Sequence, residues 1–395
     1  MRPTDPGKLS IAVLSLLLCL CAGTVWAQQP APASSNPARA SEPVKDGAKP
    51  APQKSDSFMT VDPGAGPAKP DIPGAQTVLL DENKKLPERK DSAYEDWTKP
   101  ELTPGMKTQA VSLLKAERDG FTRELVSLQW RDIDPIDLWV IKPAGVEKPP
   151  VILYLYASPS NNARYKNDQF CQFLTKNGFA AVGFVSAVTG QRLHDRAMKD
   201  SFVNQLQEAL ATSTHDVQLI LNYLAKRSDL DMSRVGMWGD GSGASIAILA
   251  AAVDSRIKAV DLLDPWGDWP EWLAKSSLVP EDERADLLKP GFLKMVENLD
   301  PVNYLPQLRT QQVRLQYIKS GLTVTSEVVR KRMEAAAPSN ANIVHYENTK
   351  QFVADVGSKG IGFDWIKEQL GSMVAEHPGG GQSATRTSGD KSTDR

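Results

Sequence analysis

Five residues, Gly239-Asp240-Gly241-Ser242-Gly243, separate a short apolar run, Val235-Gly236-Met237-Trp238, from a small-residue stretch that reads as a helix (Ala247, Ala250, Ala251, Ala252). A glycine-rich turn between strand and helix supports two kinds of chemistry. Its backbone amides can cradle a phosphate, or it can present a nucleophile. The phosphate reading is weak, because the run lacks the lysine of a P-loop and the Asp240 carboxylate repels an anion. A serine nucleophile needs a histidine base within hydrogen-bond reach, oriented by a carboxylate. The chain has 4 histidines, and His194, His215, His345 and His377 have no spacing that gathers two or three on a metal. Asp229, Asp231 and Asp240 would allow a hard-cation site, but helix-turn and bend roles account for them. No metal and no cofactor is expected.

The elements around this run alternate. Leu125 to Gln129 and Ile136 to Ile141 read as strands joined at Asp132-Ile133-Asp134-Pro135. Continuous apolar runs, typical of strands buried on both faces, follow: Val151–Tyr156, Ala180–Val185, Val235–Trp238, Ala259–Leu263, Val313–Ile318 and Asn342–Tyr346. Helical patterns separate them. Val217, Ile220, Leu221 and Leu224 recur at helical spacing, with Asp216 where an acidic residue suits a helix N-terminal turn and His215 beside that start. Asp168 to Leu174 reads as a helix packing Cys171 inward. Pro265 to Leu308 is longer than a simple crossover and holds Trp266, Trp269 and Trp272, so it predicts a small helical excursion. The expected fold class is α/β, a doubly wound and mostly parallel sheet with that excursion as a lid over residues 265–308.

In this order of elements, the chain resembles the α/β-hydrolase superfamily, especially exported esterases and prolyl-oligopeptidase-type peptidases, over Phe121 to Leu370. The resemblance implies a turn of the form small-x-nucleophile-x-small, because strand and helix can meet at the bend only across small residues. Gly239 and Gly243 are then the flanking pair, and Gly241 stands where the nucleophile belongs. In a shifted frame Ser242 is the alternative nucleophile, but Asp240 then takes a small-residue position and sets a charge beside the developing oxyanion. Ser245 falls inside the helix. The family's base follows the last strand, where Glu347-Asn348-Thr349-Lys350-Gln351-Phe352 has no histidine. His345, within that strand, is the alternative base. The carboxylate is expected after Val313–Ile318, yet Leu322 to Thr325 has none and Glu327 begins the next helix. The oxyanion loop, which opens with histidine-glycine in the family, reads Tyr156-Ala157-Ser158-Pro159.

The expectation is therefore a hydrolase-like domain without a recognisable Ser-His-Asp triad, acting as a binding or scaffold module for a small molecule or protein. Its vestigial elbow is Gly239, Asp240, Gly241, Ser242 and Gly243, and its pocket residues are Tyr156, Ala157, Ser158, Trp266 and Gln351. The alternative is a carboxylesterase or peptidase using Ser242 and His345. A third reading gives Asp240 or Glu327 a non-hydrolytic role. The tryptophans near 266–272, with Trp238, either line a pocket or pack as an ordinary lid.

Composition bounds the rest. With 395 residues, 41% hydrophobic, 24% charged and a net charge of -2, the chain lacks the basic field that nucleic acid or an anionic membrane would select. Residues 1–27 read as a signal peptide: Arg2 and Lys8, the apolar run Leu9 to Ala22, then Val25-Trp26-Ala27 for cleavage. This predicts an exported chain, periplasmic or secreted, with no transmembrane segment after cleavage. Its single remaining cysteine, Cys171, forbids an internal disulfide. Gln28 to Ala75 holds 10 Pro and 9 Ala, a composition that cannot bury enough surface to order itself. Residues 28–104 are expected to be a disordered Pro/Ala-rich spacer and lead-in, 105–375 the folded domain, and 376–395 a disordered tail.

Overall fold

The structure, a computed structural model, describes residues 95–131, 134–157, 162–187, 205–309, 311–320, 325–359 and 361–373. The expected signal peptide, spacer residues 28–94 and tail lie outside them, as do Ser158, His194, Leu322 and His377.

Among the described residues nine strands form one sheet: β1 (Gln109–Arg118), β2 (Phe121–Gln129), β3 (Ile136–Pro143), β4 (Pro150–Leu155), β5 (Ala180–Gly183), β6 (Asp231–Asp240), β7 (Ile257–Leu263), β8 (Gln312–Ile318) and β9 (Asn342–Tyr346). Their spatial order is β1-β2-β3-β5-β4-β6-β7-β8-β9. The first three join antiparallel and β3 meets β5 antiparallel. From β5 across to β9 every pairing is parallel.

Every residue of β4 is buried, which is why its sequence is apolar without alternation. Side chains still alternate by face. Val151, Leu153 and Leu155 join the core beneath α2 (Leu206–Leu224) and α3 (Ser242–Val253), while Ile152, Tyr154 and Tyr156 join that beneath α1 (Asp168–Thr175). The lid segment folds into four short helices, α4 (Trp269–Lys275), α5 (Glu281–Leu287), α6 (Pro290–Val296) and α7 (Pro301–Tyr304). Three more follow: α8 (Glu327–Ala336), α9 (Thr349–Lys359) and α10 (Ile361–Ser372). Phe363, Ile366 and Leu370 of α10 cover the same face as α1. No described helix is long and apolar enough to cross a membrane.

Three features depart from the sequence reading. Strand β1 precedes the first expected strand and is exposed along nearly its whole length, so it carries no burial pattern to reveal it. Helix α2 begins at Leu206, well before Asp216. His215 and Asp216 are therefore mid-helix and fully buried rather than at a helix start. Their polarity is balanced from outside the helix: Arg131 donates to Asp216 at 2.7 Å and to Glu95, and Glu95 Oε1 lies 2.8 Å from His215 Nδ1. Third, residues 95–104 lie against the domain. The carbonyls of Lys99 and Pro100 face His215 Nε2 and the Gln218 amide.

Candidate functional site at the elbow after β6

The bend after β6 is set by sterics at three glycines. A Cβ on Gly239 would stand 2.6 Å from the Ala244 backbone, and one on Gly243 would run into the Leu155 carbonyl. Both positions must be glycine for α3 to leave the strand so sharply. Between them Gly241 has φ 52° and ψ -113°, a left-handed geometry that L side chains rarely adopt. Its N–H donates to Leu263 O at 2.9 Å and its carbonyl accepts from Ser245 N at 3.1 Å, tying the crest to β7 and α3. The crest residue has no side chain.

Trp266 stands against the crest. A Cβ on Gly241 would meet Trp266 Nε1 and Ala157 Cβ, each at 3.0 Å. The Ser245 hydroxyl donates to the Trp266 carbonyl at 2.7 Å, so the one serine well inside α3 anchors the backbone that carries this indole. The preceding and following loop residues, Asp264 and Asp268, both have positive φ. Asp300 accepts from the N–H groups of Asp268 and Trp269, and Arg332 grips the Asp268 carboxylate. Trp266, Trp269 and Trp272 are at most 3% exposed and pack on one another with ring centroids 4.8 and 5.7 Å apart. They form a packed lid.

Two carboxyl groups flank the crest, Asp240 at the end of β6 and Asp264 after β7. Burial pushes Asp240 up to about 6, against the pull of the Arg164 charge and the Ala157 backbone amide. Asp264 is pushed up to about 8, again by burial, with Asp240's charge acting in the same direction and the Ile318 N–H opposing it. That N–H donates to Asp264 Oδ1 at 3.1 Å. Ala157 begins the loop after β4, where hydrolases of this fold place one oxyanion-hole N–H; here the amide faces Asp240. Asp264 was not singled out in the sequence, although an Asp-Pro pair closing an apolar strand was there to be read.

The other predicted residues are placed as follows. Ser242 is 0% exposed and is the first residue of α3. His345 stacks on Tyr317, and its Nε2 lies 3.3 Å from Glu334 Oε1 of α8. Among the described histidines, His215 is committed to Glu95 and Lys99. Glu327 opens α8 and pairs with Lys331 at 2.8 Å. Tyr156 is buried against Trp238, with the Arg164 guanidinium 3.6 Å above its ring. Gln351 is exposed, its carboxamide oxygen accepting from Glu347 N–H; that bond holds it at the start of α9. Cys171 is buried and its thiol is raised to about 11, chiefly by burial. Among the described residues no three His, Cys, Asp or Glu side chains gather as a metal site.

Below the site a buried polar chain crosses three strands. Arg314 clasps Asp261 through two bonds of 2.8 and 2.6 Å, Gln316 donates to the same carboxylate, and the Tyr346 hydroxyl donates to Gln316.

The sheet order and the glycine elbow after β6 define the α/β-hydrolase fold. Among solved structures, acetyl xylan esterase 1 from Thermoanaerobacterium sp. JW/SL YS485 superposes with a TM-score of 0.54 at 14% identity, covering 67% of this chain and 88% of that one. The acetyl xylan esterase from Paenibacillus sp. R4 gives 0.51 at 14% identity, covering 67% and 89%. At such identity the likeness is one of fold alone. No protein-family model and no curated protein matches the sequence.

Proposed function

We propose that this protein is a non-catalytic member of the hydrolase fold, a binding or scaffold module working outside the cytoplasm. One observation carries the reading: the elbow crest is Gly241, flanked by the two sterically required glycines and covered by Trp266. The nucleophile position has no atom that can attack a carbonyl. The Asp240 carboxyl faces the Ala157 amide, where an oxyanion would otherwise be received, a sign that opposes acyl-transfer chemistry. His215 and His345 are both engaged away from the crest. Ser242 fits a hydrolase poorly, since it is fully buried as the first residue of α3, one position past the crest. The export assignment rests on the N-terminal sequence alone.

The purified chain, treated with a fluorophosphonate probe and assayed on p-nitrophenyl acetate, is expected to show no labelling and no turnover above buffer. Stoichiometric labelling that Ser242→Ala abolishes in a normally folded variant would overturn the proposal.

A further inference from the structure

Among the described residues strand β1 is the edge of the sheet, paired only with β2. It runs for 10 residues with nine of them exposed, longer than the usual five or six residues of a strand. Edge strands are ordinarily short, covered or heavily charged, because their free N–H and C=O groups are a template for another strand. This one concentrates apolar surface instead: Val111 is 59% exposed, Leu113 56% and Leu114 42%. Among the described residues four other large hydrophobics are exposed, each less so than Leu113, and they are scattered over Val146, Met295, Val328 and Ile343. The charges of β1 lie in its second half, at Lys115, Glu117 and Arg118.

We propose that β1 pairs antiparallel with β1 of a second copy of this chain, joining two sheets into one across a two-fold axis. Self-pairing of an edge gives a closed, isologous dimer, and the pattern of the strand selects it. Centred between Leu113 and Leu114, the antiparallel register sets each Leu113 opposite the other copy's Leu114 and each Val111 opposite Ala116. Lys115 then faces Ser112, Glu117 faces Ala110 and Arg118 faces Gln109, so no charge opposes a like charge. A parallel arrangement would set Lys115 against Lys115 and Glu117 against Glu117, which is destabilising. All three exposed apolar side chains thus gain apolar or small neighbours in one arrangement that also separates the charges. The bulge between Ser112 and Leu114 adds local twist at the centre of the pairing.

Analytical ultracentrifugation of the purified chain is expected to show twice its monomer mass. Leu113→Lys, at an exposed position, is expected to give a monomer with an unchanged circular dichroism spectrum. Ser112→Cys combined with Lys115→Cys is expected to give an oxidised covalent dimer, because opposed residues bring their Cβ atoms within disulfide reach. A monomer at all concentrations overturns the proposal, and so does a dimer that survives Leu113→Lys.

Discussion

The indole of Trp266 occupies the space that a side chain at position 241 would need, with Nε1 at 3.0 Å from where a Cβ would stand. A side chain there would require Trp266 and Ala157 to give by a few tenths of an ångström. On the proposed non-catalytic reading, a serine introduced at this position is expected to bring no activity. Gly241→Ser meets both a left-handed backbone and this contact, and should destabilise the protein by ~2–4 kcal/mol from strain and overpacking together. Esterase activity should stay at background. Thermal denaturation and p-nitrophenyl acetate turnover check the two halves of this expectation separately.

The flanking glycines are expected to be less tolerant still. Gly243→Ala drives a methyl into the Leu155 carbonyl, which is backbone and has no flexible end to move. Chemical denaturation should show a loss above ~3 kcal/mol, or the variant should not accumulate as folded protein. Wild-type stability in this variant would mean that β6 and α3 meet differently.

Asp264 sets a dependence of stability on pH. Its folded value of about 8 lies above the 3.8 of an ordinary Asp, so the native state keeps a proton that the unfolded chain releases. Stability attributable to this group is full below the unfolded value and falls as pH rises from about 4 to about 8. Asp264→Asn keeps an oxygen for the Ile318 N–H and removes the charge. It is expected to raise Tm at pH 9, by roughly 2–4 °C for each kcal/mol gained in a domain of this size, and to have little effect at pH 4. Calorimetric scans across this range test it; parallel curves for the two proteins would refute the assignment.

Glu95 acts in the opposite sense. Burial raises its carboxyl, but hydrogen bonds from Arg131 and His215 outweigh that and hold it at about 2, below its usual 4.5. A depressed value means its contribution is complete above about pH 4.5 and is lost as pH falls toward 2. Glu95→Gln leaves a buried guanidinium and imidazole short of their acceptor, and should cost about 1–3 kcal/mol at pH 7. The gap between variant and wild type should narrow on acidification.

Much of the fold was legible because buried parallel strands write themselves as unbroken apolar runs. Val151–Tyr156 and Val313–Ile318 fell within a residue or two of β4 and β8. The elbow was legible because its glycines answer to sterics, which are local in sequence. What stayed hidden depended on partners far along the chain. Strand β1 has no buried face to impose a period. The first half of α2 carries Thr212, Ser213, Thr214 and His215, which look like a loop until Glu95 and Arg131 arrive to balance the buried polar groups. Gln351 was placed at the pocket by its position after the last strand, but the nearest backbone donor, Glu347 N–H, claims its side chain. Asp264 went unnoticed because its altered acidity comes from burial and from Asp240, neither visible in a run of letters.

Removing one member of the Asp261–Arg314 pair should be severe. Both are at most 3% exposed, and Arg314→Ala leaves a carboxylate in the core with only Gln316 beside it, a change worth ~3–5 kcal/mol in urea unfolding. Replacing both, as Asp261→Leu with Arg314→Met, should recover most of that loss.

The same pair decides how β7 and β8 line up. Apolar alternation alone cannot distinguish a correct alignment from one slid by two residues, since each keeps inward-facing side chains inward. Sliding β8 by two would carry the Arg314 guanidinium away from Asp261 to lie beside Ala259 or Leu263, with nothing to answer its charge. An error invisible to greasy side chains thus becomes prohibitive to a cation, and β7 and β8 can dock in one alignment only.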